Sequence, residues 1–244
     1  MKAVEFDKYD QRGAYHWREC RRNFRNFLEY NPALEARYQV VVDQIKRYSA
    51  NRLLDVGCGE GYLLGQLAGL IETGIGIDSE AEAVRIGSSL LKNYENCSLQ
   101  LNLCYELPFK DDYFDVVTST DVIEHLEDPE KHLAEISRVL KPQGTLVLTT
   151  PKWRPDRKWD ERHYQEFKPE ELEALFKLHF STVSMNFFWP AWASRIYETK
   201  LGWRILKLLG CLGFNPFKSL SSDCPQKYGQ MLVVAHNAKA ARLS

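Results

Sequence analysis

The sequence predicts an α/β fold built on an open, doubly wound sheet of seven strands, mostly parallel, with an antiparallel last strand. Three observations lead to this prediction. Short apolar runs alternate with segments of helical periodicity along most of the chain, and a glycine-rich turn follows the first run. The length of 244 residues also suits one substantial core with additions rather than two large domains.

Seven short apolar segments are the predicted strands: residues 52–56, 74–78, 98–103, 114–119, 144–150, 180–187 and 228–236. Helical periodicity marks residues 34–45, 62–70, 80–92 and 169–178, and a further helix is expected to begin at Asp128-Pro129. Asp128 suits the cap of that helix, and proline is tolerated in its first turn. Because helices separate most successive strands, those strands are expected to lie parallel.

The chain divides into a central domain and two additions. Residues 1–35 are expected to form a helical arm, residues 36–187 and 227–240 the central domain, and residues 188–226 an amphipathic insertion. A single helix is predicted over residues 192–212, with an apolar face and an adjoining basic face. The apolar face comprises Tyr197, Leu201, Ile205, Leu208, Leu209 and Leu212, and the basic face comprises Lys200, Arg204 and Lys207. The insertion is expected to act as a substrate lid, and contact with a membrane surface, supported by Trp189, Trp192 and Trp203, is the alternative.

A turn with the pattern Asp-x-Gly-x-Gly-x-Gly follows strand one, at Asp55, Gly57, Gly59 and Gly61. Glycine lets the backbone turn sharply and approach a ligand closely. The spacing differs from the Gly-x-Gly-x-x-Gly pattern that holds a pyrophosphate on a helix N-terminus, and a carboxylate at Asp55 would repel that group. The same carboxylate would attract the cationic amino and sulfonium groups of S-adenosylmethionine. Asp78, which closes strand two, is placed to accept both ribose hydroxyls.

Four segments in this order resemble the successive motifs of class I S-adenosylmethionine-dependent methyltransferases. They are Leu53 to Gly61, Gly76 to Ser79, Leu107 to Val117 and Arg138 to Gly144, and they cover residues 50–150. The resemblance implies a Rossmann-like fold with S-adenosylmethionine as the cofactor. It also implies a set of cofactor-binding residues: Asp55, Gly57, Cys58, Gly59, Gly61, Asp78, Ser79, Leu103, Cys104 and Thr120.

The adenine end departs from the family pattern. The family often has an aspartate just before the Leu-Pro-Phe segment, whereas this chain has Leu103 followed by Cys104. Adenine is therefore expected to be held by backbone groups and apolar contacts.

The segment from Thr120 to Leu126 follows strand four, at the sheet edge where ligands bind in such folds. Methyl transfer requires alignment of the acceptor and, for a hydroxyl, removal of its proton. His125 is the expected general base, and His163, on the connection after strand five, is the second catalytic candidate. The alternative is that His125 only holds its loop through hydrogen bonds.

Asp121, Glu124, His125 and His163 also offer two carboxylates and two imidazoles, a donor set that suits a divalent ion. The set resembles the Glu-x-x-Glu-His element of ubiquinone-pathway O-methyltransferases and the metal site of small-RNA 3′-end 2′-O-methyltransferases. Asp121 is one methylene shorter than the glutamate at its position, and metal-free small-molecule methyltransferases share the Ile-Glu-His-Leu segment. No divalent metal is therefore expected, and a metal site formed by these four residues is the alternative.

The net charge of -1 supplies no general attraction for nucleic acid, so a nucleic-acid partner is not expected. We expect methyl transfer to a small-molecule acceptor, most readily to a hydroxyl oxygen of a natural product, quinone or glycan. The alternatives are an RNA 2′-O-methyltransferase with a divalent metal and a non-catalytic cofactor-binding regulator.

The six cysteines are scattered without a Cys-x-x-Cys pair, and no apolar run is long enough to span a bilayer. A cytoplasmic protein is expected, with peripheral membrane contact through residues 192–212 as a variant of that prediction. The sequence does not predict an oligomeric state.

Overall fold

Seven strands form one sheet in a computed structural model that describes residues 8–155, 157–158 and 160–238. The strands are β1 (Arg52–Val56), β2 (Thr73–Asp78), β3 (Cys97–Leu101), β4 (Phe114–Thr120), β5 (Leu140–Pro151), β6 (Phe180–Pro190) and β7 (Tyr228–Ala238). Their order is β3-β2-β1-β4-β5-β7-β6, and β7 runs antiparallel to both of its neighbours. The other pairs are parallel, so the predicted fold class is confirmed. Residues 1–7 of the predicted arm and residues 239–240 of the predicted central domain lie outside the described residues.

Nine helices accompany the described strands. They are α1 (Lys8–Arg12), α2 (Tyr15–Glu19), α3 (Pro32–Ile45), α4 (Tyr62–Leu67), α5 (Ala81–Leu90), α6 (Pro129–Val139), α7 (Pro169–His179), α8 (Ala191–Tyr197) and α9 (Gly202–Cys211). The side chain of Asn31 caps α3 by accepting a hydrogen bond from the Leu34 amide at 3.1 Å. Asp128 caps α6 in the same way, accepting from the Lys131 amide at 2.9 Å, and this confirms the predicted start of that helix.

Apolar side chains cover both faces of the sheet. Leu53 belongs to the cluster that packs against α3 and α4, whereas Leu54 belongs to the cluster that packs against α6 and α7. Successive strand residues point to opposite faces, so both must be apolar when helices cover both faces. The strand order reverses between β1 and β4, and this reversal leaves a crevice at the carboxyl ends of the two strands.

The N-terminal arm consists of short helical pieces rather than one long helix. Helices α1 and α2 and a 3-10 turn at Phe24–Asn26 precede α3. Tyr9, Tyr15 and Tyr30 are buried, so the arm packs on the rest of the chain through its aromatic side chains.

The insertion differs from its prediction in two ways. The single helix predicted over residues 192–212 is two helices, α8 and α9, with a break at residues 198–201. At the break, the Thr199 hydroxyl accepts a hydrogen bond from the Gly202 amide at 3.0 Å. A Cβ added at Gly202 would lie 1.9 Å from the Ile196 carbonyl oxygen, so the two helices meet too closely for a larger residue.

The face of α9 that turns inward was also predicted wrongly. Four members of the predicted apolar face, Leu201, Ile205, Leu208 and Leu212, are exposed. The inward face instead carries Leu206, Lys207 and Gly210, which lie against the arm and α3. Lys207, predicted on the basic face that adjoins the apolar one, is buried and donates a hydrogen bond from Nζ to the Leu28 carbonyl oxygen at 2.6 Å. None of the helices in the described residues is long and apolar enough to cross a membrane.

Candidate active site

A cavity of about 760 Å³ lies at the carboxyl ends of β1, β2 and β4. Seven of the ten predicted cofactor-binding residues line it: Gly57, Gly59, Asp78, Ser79, Leu103, Cys104 and Thr120. Both catalytic candidates, His125 and His163, line the same cavity. Asp55, Cys58 and Gly61 are not part of its wall. The topology therefore brings the glycine loop and the two histidines to one space large enough for a cofactor and an acceptor.

The glycine loop is shaped by left-handed backbone and by Asp78. Gly57, Gly59 and Gly61 have φ of +75°, +53° and +71°, a region that glycine enters without steric cost. Asp78 accepts hydrogen bonds from the Gly59 amide at 2.7 Å and, through its other oxygen, from the Glu80 amide at 2.9 Å. The last residue of β2 thus fixes the loop that follows β1.

Asp55 lies behind the loop instead of facing the cavity. It is buried in β1 and accepts a hydrogen bond from the Thr118 hydroxyl at 2.7 Å. Burial raises the pKa of the Asp55 carboxyl to about 7. Cys58 is also turned inward, because a Cβ added at Gly76 would meet its Sγ at 2.7 Å. Asp55 is therefore not part of the cavity wall, and its attraction for a cationic ligand group stays a prediction.

The part of the cavity wall predicted to hold adenine contains a polar side chain that the sequence analysis missed. Asn102 lines the cavity next to Leu103 and Cys104, and its Oδ1 accepts a hydrogen bond from the Leu103 amide at 2.8 Å. The backbone amide of Asn102 donates a hydrogen bond to the Asp78 carbonyl oxygen at 2.9 Å. The available signal was its position directly after β3, at the same sheet edge as Asp78.

His125 ends a 3-10 turn, Ile123–His125, that follows β4. Its Nδ1 lies 3.0 Å from the Arg162 carbonyl oxygen, so Nδ1 carries the proton and Nε2 the lone pair. Burial, helped by nearby His163 and opposed by the hydrogen bond to the Arg162 carbonyl, lowers the pKa of His125 to about 4. The imidazole is therefore neutral near pH 7. The His163 ring lies 4.8 Å away in an edge-to-face arrangement, with its Nδ1 3.0 Å from Glu166 Oε1.

Glu124, His125 and His163 each offer a ligand atom, and these atoms lie within 4.8 Å of one another. Glu124 is buried, and its Oε2 accepts a hydrogen bond from the Thr150 hydroxyl at 2.9 Å. Burial, and next the charge of Asp121, raise the pKa of Glu124 well above its ordinary value. The two imidazoles and this carboxylate fit a divalent ion, because a cation would relieve the cost of burying the ionised glutamate.

Asp121 does not join these three residues. It follows β4 with φ of +52°, and its Oδ1 accepts a hydrogen bond from the Thr149 hydroxyl at 2.7 Å. Its other oxygen lies 2.8 Å from a guanidinium nitrogen of Arg37. The structure thus groups three of the four metal-site candidates and pairs the fourth with a cation of α3.

Arg37 was missed by the sequence analysis, although a signal was present. It lies three residues after Leu34 and four before Val41, so it falls on the apolar face of α3. A charged residue on such a face needs a buried partner. Arg37 finds one in Asp121, and its guanidinium also lies 5.4 Å from the centre of the Trp189 ring.

The arm covers the cavity above the glycine loop. Tyr15 and His16 line the cavity, and a Cβ added at Gly59 would meet the Tyr9 hydroxyl at 2.4 Å. His16 Nδ1 lies 2.6 Å from a carboxylate oxygen of buried Glu60, a loop residue that the sequence analysis did not single out. Trp17 lies outside the cavity lining and donates a hydrogen bond from its ring nitrogen to the Glu60 carbonyl oxygen at 3.0 Å.

Comparison with known proteins agrees with the fold and with the motifs. Residues 54–148 match the family model described as a methyltransferase domain. The ubiquinone biosynthesis O-methyltransferase of Thiobacillus denitrificans is 33% identical over 157 residues, which are 62% of this chain and 63% of that protein. A protein of Mycobacterium tuberculosis named as a probable S-adenosylmethionine-dependent methyltransferase is 35% identical over 145 residues, which are 57% of this chain and 52% of that protein.

Among solved structures, the YcgJ protein of Bacillus subtilis has a TM-score of 0.62 and 21% identity, and the match covers 84% of this chain and all of that one. At this identity the likeness concerns the fold. The matches span about one third to just under two thirds of the length of the curated relatives.

Proposed function

We propose that this chain, which carries a methyltransferase domain of the S-adenosylmethionine-dependent class, methylates a hydroxyl oxygen of a small molecule such as a natural product, quinone or glycan. The observation that carries the proposal is the shared cavity of the glycine loop, Asp78 and a neutral His125. A cofactor held at the loop would point its reactive end toward the loop after β4, where the base lies.

The cofactor end of the proposal rests on backbone and side-chain groups already in place. Gly57 and Gly59 let the chain approach the ligand, and Asp78 offers carboxylate oxygens at the end of β2 for ribose hydroxyls. Asn102, Leu103 and Cys104 offer a mixed polar and apolar wall for adenine. When bound, S-adenosylmethionine supplies an electrophilic methyl group.

At the acceptor end, the residues align a hydroxyl and remove its proton. His125 Nε2 carries the lone pair, so it accepts the hydroxyl proton as the new carbon–oxygen bond forms. The Arg162 carbonyl, which accepts from Nδ1, stabilises the resulting imidazolium. His163 packs on the His125 ring and limits its rotation. Alignment in the enclosed cavity supplies the remaining acceleration.

Both predicted additions to the central domain contribute to the cavity lining. Tyr15 and His16 of the arm and Trp189 of residues 188–226 line the cavity. Their positions support a role for the arm and for the start of the insertion in selecting the acceptor. The cytoplasmic location is part of the proposal, supported by the absence of disulfides among the six cysteines, all of which lie in described residues.

A second candidate function is methylation of a ribose 2′-hydroxyl of RNA with a divalent ion. The cluster of Glu124, His125 and His163 favours it, because such an ion would bind vicinal hydroxyl groups. The net charge of -1 weighs against a nucleic-acid acceptor.

The test is binding of S-adenosylmethionine by calorimetry, followed by transfer of a labelled methyl group to small-molecule extracts and to RNA. Asp78→Ala should weaken cofactor binding by about 1.5 to 3 kcal/mol, or roughly 12- to 140-fold, because hydrogen bonds to a charged acceptor are lost. Asp43→Ala, an exposed aspartate on α3, is the control and should bind normally. Unchanged affinity in Asp78→Ala would remove Asp78 from the site, and transfer only to RNA would favour the second candidate.

A further inference from the structure

Exposed apolar side chains are concentrated in the insertion. Of the fifteen large hydrophobic residues that are exposed in the described part of the chain, eight lie between Trp192 and Leu220. Leu201 and Leu212 are 61% and 67% exposed, and Ile205 and Leu208 lie between them along α9. Spacings of four, three and four residues place these side chains in one row on the outer face of the helix. We call this row, Leu201, Ile205, Leu208 and Leu212, the outer row.

Helix α9 is fixed with the outer row outward. Leu206, on the opposite face, is 3% exposed and packs in a cluster with Ala36, Ala193 and Phe217. A Cβ added at Gly210 would meet the Tyr30 hydroxyl at 2.5 Å, so the helix lies directly on the arm at that point. Rotation of α9 to bury the outer row would break these contacts and the bond from Lys207 to Leu28.

Basic side chains border the outer row. Lys200 and Arg204 are exposed, and the Arg204 guanidinium lies 5.0 Å from the centre of the Trp203 ring. Among residues 191–222, three basic residues, Arg195, Lys200 and Arg204, and one acidic residue, Glu198, are exposed, although the whole chain has a net charge of -1. The apolar row therefore lies within a locally positive surface.

We propose that the outer face of α9 binds the surface of an anionic lipid bilayer, with the outer row inserted among acyl chains and the basic side chains at the headgroups. The apolar row matches the acyl-chain layer of such a surface, and the bordering lysine and arginine match its anionic headgroup layer. Tryptophan side chains favour the boundary between headgroups and acyl chains, and Trp192 is exposed on the adjoining helix α8. A second copy of this chain would bring two positive surfaces together, so charge complementarity favours lipid as the occupant. The proposal does not depend on which acceptor the cavity binds.

The experiment is co-sedimentation with vesicles of phosphatidylcholine alone and of equal parts phosphatidylcholine and phosphatidylglycerol. The wild-type chain should bind the mixed vesicles and bind pure phosphatidylcholine at least tenfold less tightly. The double variant Ile205→Glu/Leu208→Glu, and separately Lys200→Glu/Arg204→Glu, should each bind the mixed vesicles at least tenfold less tightly. Leu178→Glu, which changes an exposed leucine on α7, is the matched control and should bind like the wild type.

Circular dichroism and cofactor binding check that each variant is folded, since all the changed side chains are exposed and none lines the cavity. Equal binding of wild type and Ile205→Glu/Leu208→Glu to mixed vesicles would overturn the proposal. A wild-type chain that fails to bind these vesicles would also overturn it. A dimer in solution that Ile205→Glu/Leu208→Glu dissociates, without vesicle binding, would assign the outer row to a second copy instead.

Discussion

A guanidinium nitrogen of Arg37 lies 2.8 Å from a carboxylate oxygen of Asp121, which joins helix α3 to the loop that follows β4. The two side chains are 20% and 10% exposed, so the pair is largely removed from water. Glu124 and His125 follow three and four residues after Asp121. The pair therefore fixes the start of the segment that carries the proposed base.

Replacement of Arg37 by methionine should lower the free energy of unfolding by about 3 kcal/mol, because Asp121 is left as a buried charge without its cation. Urea unfolding of both proteins measures the difference. Lys46→Met is the control, since it breaks an exposed pair with Asp43 on the same helix and should cost about 0.5 kcal/mol or less. Equal losses in the two variants would show that the burial of the Arg37 pair has no energetic effect.

Gly59→Ala should weaken binding of S-adenosylmethionine tenfold or more, as measured by calorimetry. The added Cβ lies in left-handed backbone and meets the Tyr9 hydroxyl at 2.4 Å, so the loop or the arm must move. Gly13→Ala is the matched control, because Gly13 has φ of +56° with nothing within 4 Å of an added Cβ. It should lose about 1 kcal/mol of stability from backbone strain alone and bind the cofactor normally. Normal binding by a folded Gly59→Ala protein would place the cofactor away from this loop.

His125→Ala should leave cofactor affinity nearly unchanged and lower kcat about 100-fold, the usual contribution of a positioned base. Because burial lowers the pKa of His125 to about 4, the base is deprotonated above that pH. The wild-type kcat should therefore fall only as the pH drops through about 4, below the 6.5 of an ordinary histidine. His236→Ala, outside the cavity lining, is the control for loss of an imidazole. If His125→Ala turns over at nearly the wild-type rate, alignment alone accounts for the reaction.

Treatment with a chelator separates the two proposed functions. If His125 acts as a base without a metal, activity should survive exhaustive chelation and dialysis. If Glu124, His125 and His163 hold a divalent ion, activity should be lost and should return when the metal is added back. Glu124→Gln would then bind metal more weakly, a result that calorimetry with the metal alone can detect. Asp121→Asn should affect stability more than metal affinity, because Asp121 pairs with Arg37 outside the cluster.

The positions of the strands and of the capped helices were predictable because their signals are local. Apolar runs bounded by glycine and the Asp128-Pro129 cap depend on neighbouring residues alone, and the glycine loop was found in the same way. The periodicity of α9 could not predict which of its faces packs against the rest of the chain. Two faces of that helix are apolar enough to be buried, and the small Gly210 against Tyr30 decides which one is.

The roles of individual site residues depended on contacts between distant parts of the chain. Nothing near Asp121 in the sequence indicates that its backbone turns left-handed and directs the carboxylate to Arg37, 84 positions earlier. The pairing of His16 with Glu60 is equally remote. Sequence patterns therefore located the cavity wall, and long-range pairing determined which wall residues act together.

Glu60 belongs to the glycine loop and, through His16, also holds the arm in place. Docking of the arm and ordering of the glycine loop are therefore expected to be coupled, so that each stabilises the other. We expect a ligand that selects the ordered loop to slow hydrogen exchange in α2, and a change that releases the arm to weaken binding of that ligand by the same factor. Residues 8–30, most of which do not line the cavity, consequently act as a thermodynamic reporter of its occupancy.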